Sequence, residues 1–333
     1  MGKLPNEDLK QILGCIKKGK NVVFPPQMGF DAGVHLMDDG RYMVVSTDPC
    51  VGVPEEWFGW LLIHYVASDI ALFGAKTEYF TISLLGPSSA LPSVFHKVMH
   101  DACNAANELG ANIITGHTGT YNGVSTLVGV CTGYGHINKN KLKTPAQAKD
   151  GDIIICIKPV GLETAVNFAL THKEQAEKIF GSKRTLGLTK LVTLQSCVNE
   201  ALSLVELGGV NAMHDATEGG VVVALNEMAE ASNVGFVVDY KKLLIPKEVE
   251  ILKDFYGLSD TQMLSMSSTG TILAAISPES KSKVETFLRQ NKVDVRFLGN
   301  FTGELNRFLI KNKKQQEFPS VADDPYERLF LEK

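Results

Sequence analysis

The run from Leu61 to Ala75 restricts the fold more than any other stretch. It is the longest apolar run of the chain, yet His64, Ser68 and Asp69 interrupt it and it is too short to span a bilayer. It therefore belongs in a globular domain, within a helix predicted over Glu55–Gly74, and no membrane association is expected. Asp69 stands at helical spacing from Tyr65, Val66, Leu72 and Phe73. A carboxylate buried unpaired among such neighbours would cost several kcal/mol. Either the helix is half buried and Asp69 faces water, or the carboxylate meets a cation, a donor cluster or a metal.

Around that helix the sequence predicts alternating elements. A short amphipathic helix over Pro5–Gly19 carries Leu9, Ile12, Leu13 and Ile16 on one face. The stretch Val22–Val34, with Pro25-Pro26 and two glycines, reads as a shaped loop. A strand follows at Arg41–Thr47, terminated by Asp48-Pro49. After the long helix come a strand at Thr77–Leu85, a helix at Pro92–Leu109, a short strand at Asn112–Thr115, a turn at Gly116-His117-Thr118-Gly119, and a β-rich run at Val124–Tyr134. This order suggests an α+β domain rather than a repeating βαβ wind. Residues 138–150 are the linker candidate, so the expected domains are 1–137 and 151–311, with a polar tail at 312–333 that frays or packs loosely. In the second domain, strands are expected at 152–158, 235–238, 271–276, 293–298 and 305–310, and helices from Leu162 and over 187–207, 219–232, 247–256 and 279–290.

The 333 residues are 44% hydrophobic and 21% charged, enough for two separate cores. The net charge of -4 gives no electrostatic footprint for nucleic acid. Six scattered cysteines without a C-x-x-C pair argue against a zinc site or disulfide framework and fit reduced thiols, with Cys131 and Cys156 in apolar core strands. No signal-peptide pattern is seen, so a cytoplasmic location is expected.

Several polar positions could carry chemistry. Asp31 lies in the loop Gly29–Gly33 and Asp48 ends its strand after Thr47; with Asp69 they would supply the carboxylates that Mg²⁺ prefers beside nucleotide phosphates. His117, between Gly116 and Thr118, could touch phosphate, ligate a metal or move a proton, or could lie in a plain surface turn. Ser267-Ser268-Thr269-Gly270 offers donors to an anion, or forms an ordinary turn. The segment His214-Asp215-Ala216-Thr217-Glu218-Gly219-Gly220 runs into an apolar helical stretch. It reads either as a helix cap, with Asp215 at N-cap and Glu218 at N3, or as a catalytic loop delivered at a helix N-terminus. Neither G-x-x-x-x-G-K-[ST] nor G-x-G-x-x-G after a strand is present, so any ATP site is of another design.

The order Gly29-Phe30-Asp31-Ala32, Ser46-Thr47-Asp48, Ala67–Ala75 and Thr115-Gly116-His117-Thr118 resembles the AIR synthase superfamily. Lys158–Glu163, the His214–Gly220 segment and Ala224–Ala229 look most like its archaeal-type hydrogenase-maturation branch, HypE. The resemblance covers nearly the whole chain. It implies a two-domain PurM-like α+β fold, with an N-terminal domain that closes a β-barrel in a homodimer beside a C-terminal α+β domain. It implies ATP bound through Mg²⁺ on Asp31, Asp48 and Asp69, with Gly29, Thr47, Gly116, His117 and Thr118 also at the nucleotide, and an oxygen of a small-molecule substrate activated by phosphoryl transfer. His214, Asp215 and Glu218 would then transfer protons or position substrate. The chain departs from the family at Phe30, Ser68 and His117, where acid, Asn and acid are common, and it ends without the cysteine of the HypE tail. The HypE reaction as such is therefore not expected. A kinase of the thiamine-monophosphate kinase type and a catalytically silent nucleotide-binding regulator remain the alternatives.

Overall fold

A computed structural model of the chain describes Leu4 and residues 6–331; the expected helix start at Pro5 and the last two tail residues lie outside the described residues. The elements fall into two compact units, Gln11–Leu142, and the described residues from Lys143 onward together with those before Gln11. The first helix, α1 (Asn6–Gly14), stops five residues before the expected end at Gly19. Among the described residues no helix is long and apolar enough to cross a membrane.

In the first unit, β1 (Val22–Phe24) and β2 (Gly33–Leu36) flank the proline-glycine loop, so the irregular part of the expected loop shrinks to residues 25–32. They lead into β3 (Tyr42–Val51), α2 (Phe58–Leu72), β4 (Lys76–Pro87), α3 (Pro92–Leu109), β5 (Asn112–Tyr121) and β6 (Val128–Ile137). The sheet order is β1-β2-β3-β6-β4-β5, an open sheet in which only β4 and β5 pair in parallel, joined by α3 as crossover. The barrel expected of a dimer is thus not closed within one chain.

Helix α2 lies on β3, β4 and β6 with Leu61, Leu62, Val66 and Ile70 wholly buried. It comes this close because β6 has glycine where it crosses: a Cβ on Gly133 would sit 2.6 Å from Val66 Cγ1 and 2.7 Å from Ile70 Cδ1. Removing that apolar area from water stabilises each large side chain by about 1.5–3 kcal/mol. The short apolar run therefore becomes the core of a sheet-helix layer.

Two sequence expectations fail here for one reason. Asp48-Pro49 does not end its strand; β3 runs on to Val51, with Asp48 opposite Cys131 and Pro49 opposite Val130. Its other neighbour β2 reaches only Val45, so Pro49 lies where the strand has an open edge and a missing N–H is tolerated. Likewise Gly116-His117-Thr118-Gly119 is not a turn but continues β5, paired with Ile82 to Leu85 of β4. At Gly116 an added Cβ would collide with the Ile82 carbonyl oxygen, so glycine there serves close strand approach, not a turn.

The second unit contains β7 (Ile153–Ile157), α4 (Leu162–Thr171), α5 (Lys173–Phe180), α6 (Ser182–Thr189), α7 (Val198–Leu207), β8 (Val210–Ala216), α8 (Gly220–Ser232), β9 (Gly235–Asp239), α9 (Lys247–Tyr256), α10 (Asp260–Leu264), β10 (Ser268–Ile276), α11 (Lys281–Gln290), β11 (Val295–Thr302), β12 (Arg307–Lys311), β13 (Lys314–Glu317) and α12 (Tyr326–Leu331). The sheet order is β13-β12-β9-β11-β7-β10-β8, antiparallel except for β12 with β9. The single helix expected over 187–207 is broken by a 3-10 turn at Val192–Gln195. The carbonyls around that turn are held by the buried Lys158, whose Nζ donates to Leu194 O and Ser196 O and lies 2.9 Å from Glu200 Oε1.

The tail does not fray. Phe318 and Leu329 are buried, the Phe330 ring stacks on Tyr326 at 4.2 Å, and Tyr326 OH accepts from Asn167 Nδ2. Four apolar or aromatic residues at 318, 326, 329 and 330 outweigh the polar composition around them.

Candidate functional site

In the first unit the strand period of two puts Val44, Ser46, Asp48 and Cys50 on one face of β3. Helix α2 covers that face and brings Asp69, 5% exposed, against it. The Ser46 hydroxyl donates to Asp69 Oδ2 at 2.6 Å. The charge expected to need a partner therefore has at least one donor, and Ser46 was not singled out from sequence because it lies 23 residues away on another element. Asp48 follows on the same face, half-buried. Thr47 points the other way, its hydroxyl donating to Cys131 O at 3.2 Å and sharing a hydrogen bond with Thr132 Oγ1.

Asp31 is carried by the loop between β1 and β2. Gly29 there has φ +73, and the Phe30 ring lies 5.4 Å from Phe24 and 5.9 Å from Phe73. Phe73 is the C-cap of α2, one turn beyond Asp69. The family departure at Phe30 is thus an anchor that fixes the aspartate loop to the Asp69 end of α2.

His117 and Thr118 are placed differently. They lie on β5, separated from β3 by β6 and β4, which is three strand spacings or roughly 14 Å across the sheet. His117 Nε2 is 2.6 Å from Tyr121 OH on the same exposed strand. Within one chain they do not share a position with Asp48 and Asp69.

In the second unit His214 and Asp215 are not before a helix but inside β8, opposite Leu273 and Ile272 of β10, each 1% exposed. Pairing with β10 carries the strand through Ala216, so Asp215 and Glu218 do not form a capping box. The N-cap of α8 is Gly219, with φ +79, and the helix opens at Gly220, with φ +55. A side chain at Gly220 would meet Leu264 O and Met266 O at 2.6 Å. His214 Nε2 lies 2.9 Å from Glu227 Oε2 on α8, and its Nδ1 lies 3.8 Å from Asp215 Oδ1. Glu218 is exposed in the connecting loop.

The hydroxyls at 267–269 are engaged by carboxylates of the protein itself. Ser267 Oγ donates to Asp324 Oδ2 at 2.7 Å, and the Gly219 N–H donates to the same oxygen at 3.0 Å. Thr269 Oγ1 donates to Glu163 Oε2 at 2.5 Å, and Ser268 Oγ accepts from Gly161 N. Burial pushes the Glu163 carboxyl up to about 7, against the Thr269 hydrogen bond and helped by the charges of Glu218 and Asp324. Burial also raises Asp324. Glu163 and Asp324 were not among the expected site residues; the only sequence signal was Glu163 closing the Lys158–Glu163 motif.

Cys131 and Cys156 are wholly buried as expected, and burial raises both thiols, Cys156 to about 12. Neither is a thiolate nucleophile. The hard oxygen donors of Asp31, Asp48 and Asp69 are the right chemistry for Mg²⁺, which takes carboxylates with water and phosphate oxygens.

Family models for AIR synthase related protein match both halves, the N-terminal domain over residues 29–135 and the C-terminal domain over 149–310. Carbamoyl dehydratase HypE of Cupriavidus necator is 27% identical over 258 residues, spanning 75% of this chain and 70% of its own. Selenide, water dikinase of Myxococcus xanthus is 29% identical over 261 residues, covering 76% and 70%. Among solved structures, hydrogenase maturation protein HypE in complex with ATP superimposes with a TM-score of 0.72 at 18% identity, over 95% of this chain and 91% of that one. That likeness establishes the two-domain PurM-like fold.

Proposed function

Because the chain belongs to the AIR synthase related protein family, we propose that it is an ATP- and Mg²⁺-dependent enzyme that activates an amide or carboxylate-type oxygen of a small substrate by phosphoryl transfer. The observation that carries this reading is Asp69, held by Ser46 inside the apolar α2–β3 layer, with Asp48 two residues further on the same strand face. A buried carboxylate is costly, and a divalent cation is the partner that a second and third aspartate suit. Asp31, Asp48 and Asp69 would hold Mg²⁺, which when bound neutralises charge on the nucleotide phosphates. Gly29 and Thr47 would line the nucleotide, as would Gly116, His117 and Thr118 from the β5 edge.

In the step proposed, the substrate oxygen attacks the γ-phosphorus, a new P–O bond forms, and the bond to the β-phosphate oxygen breaks to release ADP. Most of the rate gain comes from positioning and charge neutralisation. His214 is assigned the proton that the substrate loses or regains, with Asp215 and Glu218 positioning the loop. The relatives point the same way: one is named a carbamoyl dehydratase, another a selenide, water dikinase, and a HypE has been solved with ATP. The protein would act as a homodimer through the first sheet, whose edge strand exposes Ile114 (58%) and Tyr121 (44%).

The test is ATP consumption with Mg²⁺ and a panel of carboxamides, carboxylates and selenide, followed by ³¹P NMR. ADP or AMP formation that requires both Mg²⁺ and an acceptor supports the reading. ATP binding without turnover on any acceptor assigns a regulatory role instead.

A further inference from the structure

Glu227 belongs to no motif that pointed to chemistry, yet it is the carboxylate that meets the most deeply buried histidine of the second unit. It lies two turns into α8 with its side chain 13% exposed, and its Oε2 is 2.9 Å from His214 Nε2. His214 is fixed from the other side by β8, where its backbone pairs opposite Leu273. The imidazole is thus clamped between a strand and a helix, with one nitrogen assigned to a single partner.

We propose that Glu227 is a positioning residue that sets the tautomer of His214, so that Nδ1 is the nitrogen that exchanges protons with substrate. This rests on the reading of His214 as the proton-transfer group. An ionised carboxylate only accepts hydrogen bonds, so the nitrogen it faces must carry the proton. Nε2–H then donates to Glu227, and in the neutral ring the lone pair resides on Nδ1, on the Asp215 side at 3.8 Å from Oδ1. When a substrate X–H group loses its proton to Nδ1, the X–H electron pair stays on X and the ring becomes an imidazolium. The Nε2–H bond is unchanged, and Glu227 balances the new positive charge inside the protein. The reverse transfer restores the neutral ring. Without Glu227 the buried ring would be equally able to present Nε2, which points into α8 and away from any ligand at the β8 end.

The test uses ¹⁵N-histidine-labelled full-length protein at pH 8, with long-range ¹H–¹⁵N correlation and His214 assigned by the signals lost in His214→Gln. The wild-type spectrum is expected to show Nε2 as the protonated nitrogen; an unprotonated Nε2 overturns the proposal. In Glu227→Gln the side-chain amide can accept or donate, so His214 should populate both tautomers. ATP consumption should then fall by about 10–100-fold at unchanged KM for ATP. Glu227→Asp should keep the wild-type tautomer. A Glu227→Gln protein with the wild-type tautomer and wild-type turnover overturns the assignment. If that variant does not fold, the wild-type spectrum decides alone. If the wild type consumes no ATP, the functional reading falls, and the tautomer is still read directly.

Discussion

Glu163 is the residue whose titration the structure describes best. It is the second residue of α4, it accepts from Thr269 Oγ1, and burial raises its carboxyl from 4.5 to about 7. The folded protein therefore binds more protons than the unfolded chain between about pH 4.5 and 7. Stability contributed by the neutral acid is present at the low end of that window and is lost as pH rises through about 7. The full linkage value is about 3 kcal/mol. Part of the residue still meets solvent, which screens the charge and brings the expected loss to about 1–3 kcal/mol. Glu163→Gln keeps an oxygen for Thr269 and cannot ionise. It should match the wild type near pH 5 and exceed it at pH 8. Thermal melts of the two proteins at both pH values read this directly, at roughly 2–4 °C per kcal/mol for a unit of this size. Melting curves that run parallel from pH 5 to 8 would refute a buried, raised carboxyl at 163.

Lys158→Met should destabilise the second unit by about 3–5 kcal/mol in urea, because it strands Glu200 and the carbonyls of Leu194 and Ser196. Adding Glu200→Leu should recover part of the loss; no recovery would show that the pair is not coupled. Gly116→Ala should cost at least about 1–3 kcal/mol, since its Cβ meets the Ile82 carbonyl and forces β5 away from β4; an unchanged melting temperature contradicts that register. Ser46→Ala should weaken Mg²⁺-dependent ATP binding by about tenfold, read by calorimetric titration, because Asp69 loses its 2.6 Å donor. Equal affinity would mean that Asp69 needs no orienting there.

The parts of this fold that the sequence revealed are those written in local periodicity. Helix α2 was legible from its apolar run, and the buried strand β7 from four isoleucines. What was not legible depended on partners distant along the chain. Ser46 meets Asp69 only because α2 lies on β3. Asp48-Pro49 reads as a strand end until β2 is seen to stop at Val45, leaving an open edge. Gly116 reads as a turn until the Ile82 carbonyl is seen against it. The capping box at Asp215 and Glu218 was a sound local pattern, overridden by the pairing of β8 with β10. Motif order placed Asp31, Asp48 and Asp69 in one unit, whereas the distance of His117 from β3 required the strand order.

The central claim is that the aspartates of the first unit hold Mg²⁺ for ATP. Calorimetric titration of ATP into wild type and Asp69→Asn, each with Mg²⁺ and with EDTA, tests it most directly. The account predicts binding to the wild type that requires Mg²⁺ and is weakened by at least about tenfold in the variant. The same ATP affinity in all four titrations would contradict it.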